Sequence, residues 1–146
     1  MATWQSDYII VPITRLRQIY GGIPVILTME DYTNHLFWQG VETPDEREIE
    51  RILPPLKSDY PETKLWGTFQ GNQISLTYEN GLLLDMRLRI DMSRNYQEVR
   101  TFVEAIVGLA KKSEWVFLPS NSDAVLQPQY ELLAADLKLT EAHKGL

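Results

Sequence analysis

The chain has 146 residues, 44% of them hydrophobic and 23% charged, which is the composition of one globular domain and excludes a largely disordered or fibrous protein. Its 20 Asp and Glu residues outnumber the 14 Lys and Arg residues, and the net charge of −6 disfavours nucleic acids and other polyanions as partners. Cysteine is absent, which excludes disulfides, thiolate nucleophiles and cysteine-bound metals.

The N-terminal part of the chain carries short strand and helix signals. It has neither the basic start and long apolar run of a signal peptide nor a membrane span, which favours a cytoplasmic protein with no membrane partner. Residues 7–13 predict a short strand, in which Pro12 marks an edge or a strand end. Residues 14–20 predict one helical turn and 24–29 a second strand, whereas 30–42 gives mixed signals. We expect this part to add strands to the main sheet, because an isolated hairpin is only marginally stable.

The first clear helix is predicted to begin at Thr43. The sequence TPDE places Thr43 at the N-cap, Pro44 at the first helical position and Glu46 where it completes a capping box. Pro54-Pro55 ends the helix, because proline lacks the amide hydrogen that a helix interior requires.

A meander of three antiparallel strands is predicted after this helix. Alternating apolar residues indicate strands over 64–70, 73–79 and 83–92. Gly71-Asn72 is a two-residue hairpin signal, and this turn sets Phe69 opposite Ile74. The same register places Trp66 on the polar side of the sheet.

The second turn of the meander contains Asn80-Gly81 and allows two registers. A strict two-residue loop would set Leu76 opposite Asp85 and would mix polar and apolar side chains on one face. A three-residue loop over 80–82 sets Leu76 opposite Met86 and keeps the faces separate. Because a slip of one residue moves every side chain to the other face, burial selects the longer loop.

The rest of the chain alternates helices and strands. Asn95 is predicted as the N-cap of an amphipathic helix, with a glutamate in the capping position three residues later. Residues 115–119 predict a strand that is covered on both faces, and 124–127 predicts one more short strand. Pro128 opens a last helix, and 140–146 adds a turn.

This order of elements predicts one α+β domain over residues 1–146. Its antiparallel meander sheet has three central strands, extended by the N-terminal strand and by one or two later strands, with two to three helices packed on one face. Over residues 43–140 the element order resembles that of small acidic secretion chaperones and of several immunity-type proteins of bacteria. That resemblance implies a protein that binds another protein without catalysis.

The polar side of the predicted meander is the candidate site. Its side chains supply hydroxyl, amide, carboxylate, guanidinium and indole groups, and we list them as partner-binding residues: Trp66, Gln73, Ser75, Asp85, Arg87, Arg89 and Asp91. Such a face is commonly only the hydrated side of an antiparallel sheet. As a recognition surface, Arg87 and Arg89 would donate planar forks to carboxylates of the partner, and Trp66 would anchor the contact. The partner would be another protein or a second copy of this chain, as a homodimer.

The sequence contains no recognised catalytic motif. It has no phosphate-binding glycine loop and no nucleophile elbow, and we predict neither a cofactor nor a metal. The segment with Glu30, Asp31 and His35 comes nearest to a metal-ligand cluster, but its spacing is more typical of a solvated polar segment. The only other histidine is His143.

The favoured function is therefore that of a non-catalytic protein-binding module, chaperone-like or immunity-like. The alternative is a small-molecule-binding protein or an enzyme in which Asp85 and Asp91 act as acid and base while Arg87 or Arg89 clamps an anionic substrate. Nucleic-acid binding through the two arginines and Trp66 is disfavoured by the net charge of −6.

Overall fold

The computed structural model describes residues 4–139, and the turn predicted at 140–146, with His143, lies outside these residues. The helices and strands follow in chain order as β1 Gln5–Pro12, α1 Ile13–Tyr20, α2 Met29–Asn34, α3 Glu46–Glu50, β2 Pro55–Leu56, β3 Thr63–Gly67, β4 Gln73–Glu79, β5 Leu82–Asp91, α4 Tyr96–Ser113, β6 Trp115–Pro119 and α5 Tyr130–Leu137.

The six strands form one antiparallel sheet in the order β2-β3-β4-β5-β1-β6, which confirms the predicted α+β fold with a meander. The N-terminal strand joins this sheet, as expected. However, β1 lies between β5 and β6 rather than at an edge, and Pro12 is its last residue. Pro12 has no amide hydrogen to donate. Because it lies at the end of the strand, no hydrogen bond is lost from the interior of the sheet.

β6 is buried on both faces, as its continuous apolar run predicts. Beyond it, the strands predicted at 124–127 and 24–29 are reduced to two isolated bridges, Phe117 with Leu126 and Ile26 with Ala124. Leu126 pairs with Phe117 through two backbone hydrogen bonds of 2.9 Å, so the middle of the outer edge of β6 is covered.

The main hydrophobic core lies between one face of the sheet and α3, α4 and α5. Alternate residues of the strands point into it, among them Tyr8, Leu76, Met86 and Phe117. α4 contributes the amphipathic stripe that was predicted, and its N-cap is Asn95, whose side chain accepts a hydrogen bond from the Glu98 amide at 2.9 Å. Burying this stripe against the sheet is what stabilises the helix in its place.

A second, smaller core covers the opposite face of β1 and β6. Residues 13–37, which we call the cover segment, contain α1 and α2 and pack on Ile9, Val11, Val116 and Leu118. Helices therefore lie on both sides of the sheet, and the expectation that they occupy one face only was wrong. Residues 30–42 gave mixed signals because α2, which overlaps their start, has no buried residue and so shows no apolar stripe.

The register of β4 against β5 is the predicted one, with Leu76 opposite Met86. The loop differs in detail from the expected three residues. Asn80-Gly81 is a two-residue turn with both φ angles positive, at 51° and 81°, which is the pairing that suits a tight hairpin. The surplus residue is Leu84, which bulges between the pair Thr77–Asp85 and the next pair of the ladder, and it keeps the two faces separate.

The predicted register of β3 against β4 is wrong. Trp66 lies opposite Ile74, and the strands are joined by a five-residue loop, residues 68–72, instead of the turn Gly71-Asn72. Gly67 sets this loop, because its φ of +105° and the carbonyl oxygen of Asn72, 2.0 Å from where a Cβ would stand, admit no other residue. The observed register differs from the predicted one by three residues. Because three is an odd number, every side chain of β3 lies on the face opposite to the predicted one.

The helix predicted at Thr43 begins later, as α3 at Glu46. Its N-cap is Asp45, whose side chain accepts a hydrogen bond from the Arg47 amide at 3.0 Å. A carboxylate and a hydroxyl both serve as caps, and the local pattern alone did not distinguish the two positions. Between residues 4 and 139, no helix combines the length and apolar character that crossing a membrane requires.

Candidate functional site

The outward side of β3, β4 and β5 is not covered by the cover segment, and we call it the open face. It carries Thr63, Leu65, Gln73, Ser75, Thr77, Asp85, Arg87 and Arg89. Across the sheet one row of neighbouring residues runs from Leu65 through Ser75, Arg87 and Ile9 to Leu118. The row changes from accessible and polar to buried and apolar between Arg87 and Ile9, where β5 meets β1.

Arg87 lies at the centre of the open face, with 55% of its side chain exposed. Its Nε donates a hydrogen bond to Oδ2 of Asp85 at 2.6 Å. No other hydrogen bond among residues 4–139 involves the guanidinium, so its two terminal nitrogens have no protein acceptor there. Burial lowers the pKa of Arg87, but the hydrogen bond and charge of Asp85 outweigh this effect and raise it above its usual value. A positive charge with a fixed orientation is thus presented to solvent.

Asp85 is held from a second direction by Tyr32 of α2. The Tyr32 hydroxyl donates to Oδ1 of Asp85, while Oδ2 accepts from Arg87, so both carboxylate oxygens are engaged. Burial, followed by the hydrogen bond and charge of Asp85, raises the pKa of Tyr32 well above its usual 10.0, and the phenol remains a donor at neutral pH. Its ring stacks on Phe37 with centroids 5.6 Å apart, which fixes the hydroxyl in position.

Arg89, the second arginine of the predicted site, has a structural role. Its guanidinium donates to three backbone carbonyl groups of the loop 68–72: Nε to Gly71 at 3.1 Å, and Nη2 to Thr68 at 3.3 Å and to Phe69. Gln73 adds a fourth contact, from its amide nitrogen to the Thr68 carbonyl oxygen at 3.1 Å. Arg89 therefore organises the hairpin loop and does not offer a free fork to a partner.

Asp91 is buried, with 5% of its surface exposed, and its predicted place on an exposed surface was wrong. Its Oδ1 accepts from the Ser93 amide at 2.9 Å and hydroxyl at 2.6 Å, and Oδ2 lies 3.4 Å from Nε of Arg94. Its own amide donates to Oδ1 of Asn72 at 2.8 Å. The residue links the hairpin loop to the segment that leads into α4, because the loop folds over this end of the polar side.

Trp66 is in the main core, with 3% of its surface exposed, and its predicted role as a surface anchor was wrong. The cause is the shifted register of β3, which turns Trp66 inward and puts Leu65 on the open face opposite Ser75. Ser75 itself lies between Leu65 and Arg87, half-buried, as the predicted β4–β5 register requires. Of the predicted residues, the structure thus brings Ser75, Asp85 and Arg87 together on an accessible surface.

Sequence reasoning missed Tyr32, although a signal for its helix was present. Thr28 and Asp31 form a capping box: the Thr28 hydroxyl accepts from the Asp31 amide at 3.1 Å, and the Asp31 carboxylate accepts from the Thr28 amide at 3.1 Å. The pattern of a threonine followed three residues later by an aspartate marks such a helix start. Nothing in the local sequence indicates that Tyr32 meets a strand more than fifty residues later.

The predicted polar segment around Asp31 shows no ligand geometry for a metal. The two hydrogen bonds from Thr28 lower the pKa of Asp31 and use its carboxylate in the cap. His35 packs its ring between Tyr20 and Phe37, at centroid distances of 5.8 Å to each. Over the described part of the chain, His, Asp and Glu side chains form no group of three that could hold a metal ion.

A cavity of about 310 Å³ lies next to the open face, and Tyr32, which contacts Asp85, is one of its lining residues. Ile9, Leu27 and Leu118 line its floor, and residues 119–123 form its walls together with Thr28 and Met29. No family model, curated protein or solved structure matches the chain.

Proposed function

We propose that the protein is a non-catalytic protein-binding module whose partner docks on the open face. The observation that carries the proposal is the state of Arg87. Asp85 holds its Nε at 2.6 Å, Tyr32 holds Asp85, and both terminal nitrogens are without a protein acceptor in the described residues. A guanidinium that is already ordered loses little conformational entropy on binding, and its planar fork matches a carboxylate.

The partner is expected to present one carboxylate to Arg87 on an otherwise neutral or basic surface. The net charge of −6 repels a strongly acidic protein at long range, whereas the local contact is a matched ion pair. Leu65 and Ser75, beside Arg87 in the same row, supply an apolar contact and a hydroxyl group next to that pair. An arginine with apolar neighbours is a common centre of protein interfaces.

The alternative that uses Asp85 and Asp91 as acid and base receives less support from these contacts. Both oxygens of Asp85 are engaged, and Asp91 is buried with its own donors, Ser93 and Arg94. Proton transfer to a substrate requires a group within hydrogen-bond reach of it, and here several contacts would first have to break. Binding of nucleic acid through this face is also disfavoured, because the indole of Trp66 is unavailable for base stacking.

The resemblance in element order supports a chaperone-like or immunity-like module. We propose the cytoplasm as its compartment, and either another protein or a second copy of the chain as its partner. A homodimer through the open face would bring two copies of Arg87 close together across a twofold axis, and Asp85 of each copy is already paired. Repulsion between these guanidiniums makes a different protein the favoured partner.

The test compares wild-type protein with Arg87→Glu in cross-linking and co-purification from the native cell. The control is Arg47→Glu, a change of the same charge at a side chain that is 90% exposed on α3, on the other side of the sheet. We expect a partner that is retained with the control and lost with Arg87→Glu, and the partner's contact residue to be an aspartate, a glutamate or the C-terminal carboxylate. Equal capture of the same proteins by both variants would refute the proposal, as would a partner that cross-links only elsewhere.

A further inference from the structure

The cavity beside Tyr32 has the size and shape of a small ligand site. Its volume of about 310 Å³ is at the lower end of the range for ligand pockets, roughly 300–1,000 Å³. The floor consists of Ile9, Leu27 and Leu118, all buried members of the second core. Such a floor suits a short aliphatic chain, because the chain removes apolar surface from water without displacing any polar contact of the protein.

The charged side chain in the lining indicates which polar group the ligand carries at the end of its aliphatic chain. Among residues 4–139, Asp123 is the only ionised side chain that lines the cavity, and it is exposed. Its backbone oxygen accepts from the Leu27 amide at 2.8 Å, whereas its carboxylate makes no hydrogen bond or ion pair within residues 4–139. Tyr32 also lines the cavity, and an aromatic side chain attracts a cation through the π face of its ring.

An anionic occupant is disfavoured by the same contacts. The N-terminus of α2 borders the cavity at Thr28 and Met29, and its amide groups would otherwise attract negative charge. There the carboxylate of Asp31 already accepts from the Thr28 amide and hydroxyl, at 3.1 and 2.9 Å. The partial positive charge of this helix end is thus already compensated, and the carboxylate of Asp123 remains as the unpaired charge.

We propose that this cavity binds a primary ammonium group on a short aliphatic stem, with the stem over Ile9 and Leu118 and the ammonium between Asp123 and the Tyr32 ring. Two sources share this chemistry, a free alkylamine and the lysine side chain of a docked protein. The inference does not depend on the proposed role of Arg87, since Asp123 lies outside the open face and the site is tested with small probes.

The experiment titrates the full-length protein with n-butylammonium, n-butanol and butyrate, three probes with one stem and different charge, and follows backbone amide shifts by NMR. We expect n-butylammonium to shift the amides of residues 120–123 in a saturable way, n-butanol to bind more weakly, and butyrate to leave these amides unchanged. Asp123→Asn should weaken n-butylammonium about twofold to fivefold, the range of an exposed ion pair, without affecting n-butanol.

Ser120→Trp tests the position of the site, because Ser120 is exposed at the rim and its backbone amide keeps its bond to the Asp7 carbonyl. In this variant n-butylammonium should no longer shift the amides of residues 120–123, while the other amide signals remain those of the folded protein. Binding of Nα-acetyl-L-lysine methylamide as tightly as n-butylammonium identifies a partner's lysine as the occupant, and binding of the free amine alone identifies a small metabolite. Equal shifts with butyrate, or an unchanged response in Asp123→Asn or in Ser120→Trp, would overturn the proposal.

Discussion

Tyr32 of α2 donates its phenolic hydrogen to the carboxylate of Asp85 in β5, across 53 residues of sequence. The bond lies where the open face ends and the cover segment begins. Because the other oxygen of Asp85 holds Arg87 at 2.6 Å, one contact both fastens the cover segment to the sheet and orients the exposed guanidinium. Tyr32 is therefore a positioning residue for the proposed contact, and the fold and the candidate site depend on the same side chain.

Removal of the Tyr32 hydroxyl should weaken the fold and the site together. For Tyr32→Phe we expect a loss of about 1–3 kcal/mol in the free energy of unfolding, the usual cost of deleting a hydrogen bond to a charged group. Equilibrium unfolding in urea measures it. Tyr60→Phe is the matched control, because Tyr60 is 69% exposed and its hydroxyl makes no hydrogen bond in the described structure. Identical midpoints for the two variants would show that the Tyr32–Asp85 bond contributes nothing.

The two neighbouring arginines of β5 should differ sharply when each is replaced by alanine. Arg89→Ala deletes the donors for the carbonyl groups of Thr68, Phe69 and Gly71, and we expect it to cost about 1–3 kcal/mol. Arg87→Ala removes one exposed ion pair and should cost less than about 1 kcal/mol.

Amide hydrogen exchange gives a second measurement for this pair. In Arg89→Ala the amide of Gly71, which donates to the Thr68 hydroxyl at 2.8 Å, should lose protection as the loop 68–72 loosens. Its protection should be unchanged in Arg87→Ala. The assignment of Arg89 to a structural role fails if the two variants are equally stable and equally protected at Gly71.

Two glycine-to-alanine changes are predicted to have opposite effects on stability: one lowers the free energy of unfolding and the other raises it. Gly67→Ala places a Cβ 2.0 Å from the carbonyl oxygen of Asn72 at a φ of +105°, so the hairpin must distort, and we expect a loss of more than about 2 kcal/mol. Gly108 lies within α4, with no atom within 4 Å of its Cβ position, so Gly108→Ala should stabilise by about 0.5–1 kcal/mol. Thermal unfolding of both variants measures the difference, and a stable Gly67→Ala would mean that the loop is not held as described.

Stability should fall at alkaline pH because two tyrosines, the buried Tyr8 and the half-buried Tyr32, resist ionisation. Burial and hydrogen bonds, to Asp136 for Tyr8 and to Asp85 for Tyr32, raise both pKa values above the usual 10.0. The unfolded chain releases these protons near pH 10 and the folded chain does not, so their stabilisation is complete below pH 10 and is lost progressively above it.

The expected slope is about 1 kcal/mol per pH unit for each of these tyrosines. Urea unfolding at a series of pH values from neutral to 11 measures it, and absorbance near 295 nm reports ionisation directly. Tyr8→Phe and Tyr32→Phe should each flatten the slope while lowering stability at neutral pH. If all seven tyrosines ionise together near pH 10 in the folded protein, the two hydroxyls are not held as the structure has them.

Local patterns predicted correctly the parts of the fold in which one face of an element is buried. Strict alternation in β4 and β5 favours the register with Leu76 opposite Met86, since a slip of one residue would bury charged groups. The apolar run at 115–119 marks β6 as doubly covered, and Asn95 marks the start of α4. These signals are reliable because each residue's environment follows from its immediate neighbours in sequence.

The site was predicted less well, because contacts distant in sequence decide it. Gly71-Asn72 is a sound turn signal, yet Gly67 and Arg89 stabilise a longer loop, and that loop turns Trp66 into the core. Thr43 is a good N-cap, yet Asp45 takes the position. In each case the local sequence allowed two solutions, and for the loop 68–72 contacts with Arg89 and the approach of Gly67 to Asn72 favour the longer one.

By itself, then, the amino-acid sequence determined an α+β fold with an antiparallel meander and a row of polar side chains on one side of β4 and β5, because burial of one face dictates alternation. Only the tertiary structure decided which of those side chains remain available. Arg89 and Asp91 are used by the hairpin loop, while Arg87 is fixed by Asp85 and Tyr32 and left open to solvent. The physical reason is that a hydrogen-bonding group serves the partner nearest in space, and sequence distance does not measure that nearness.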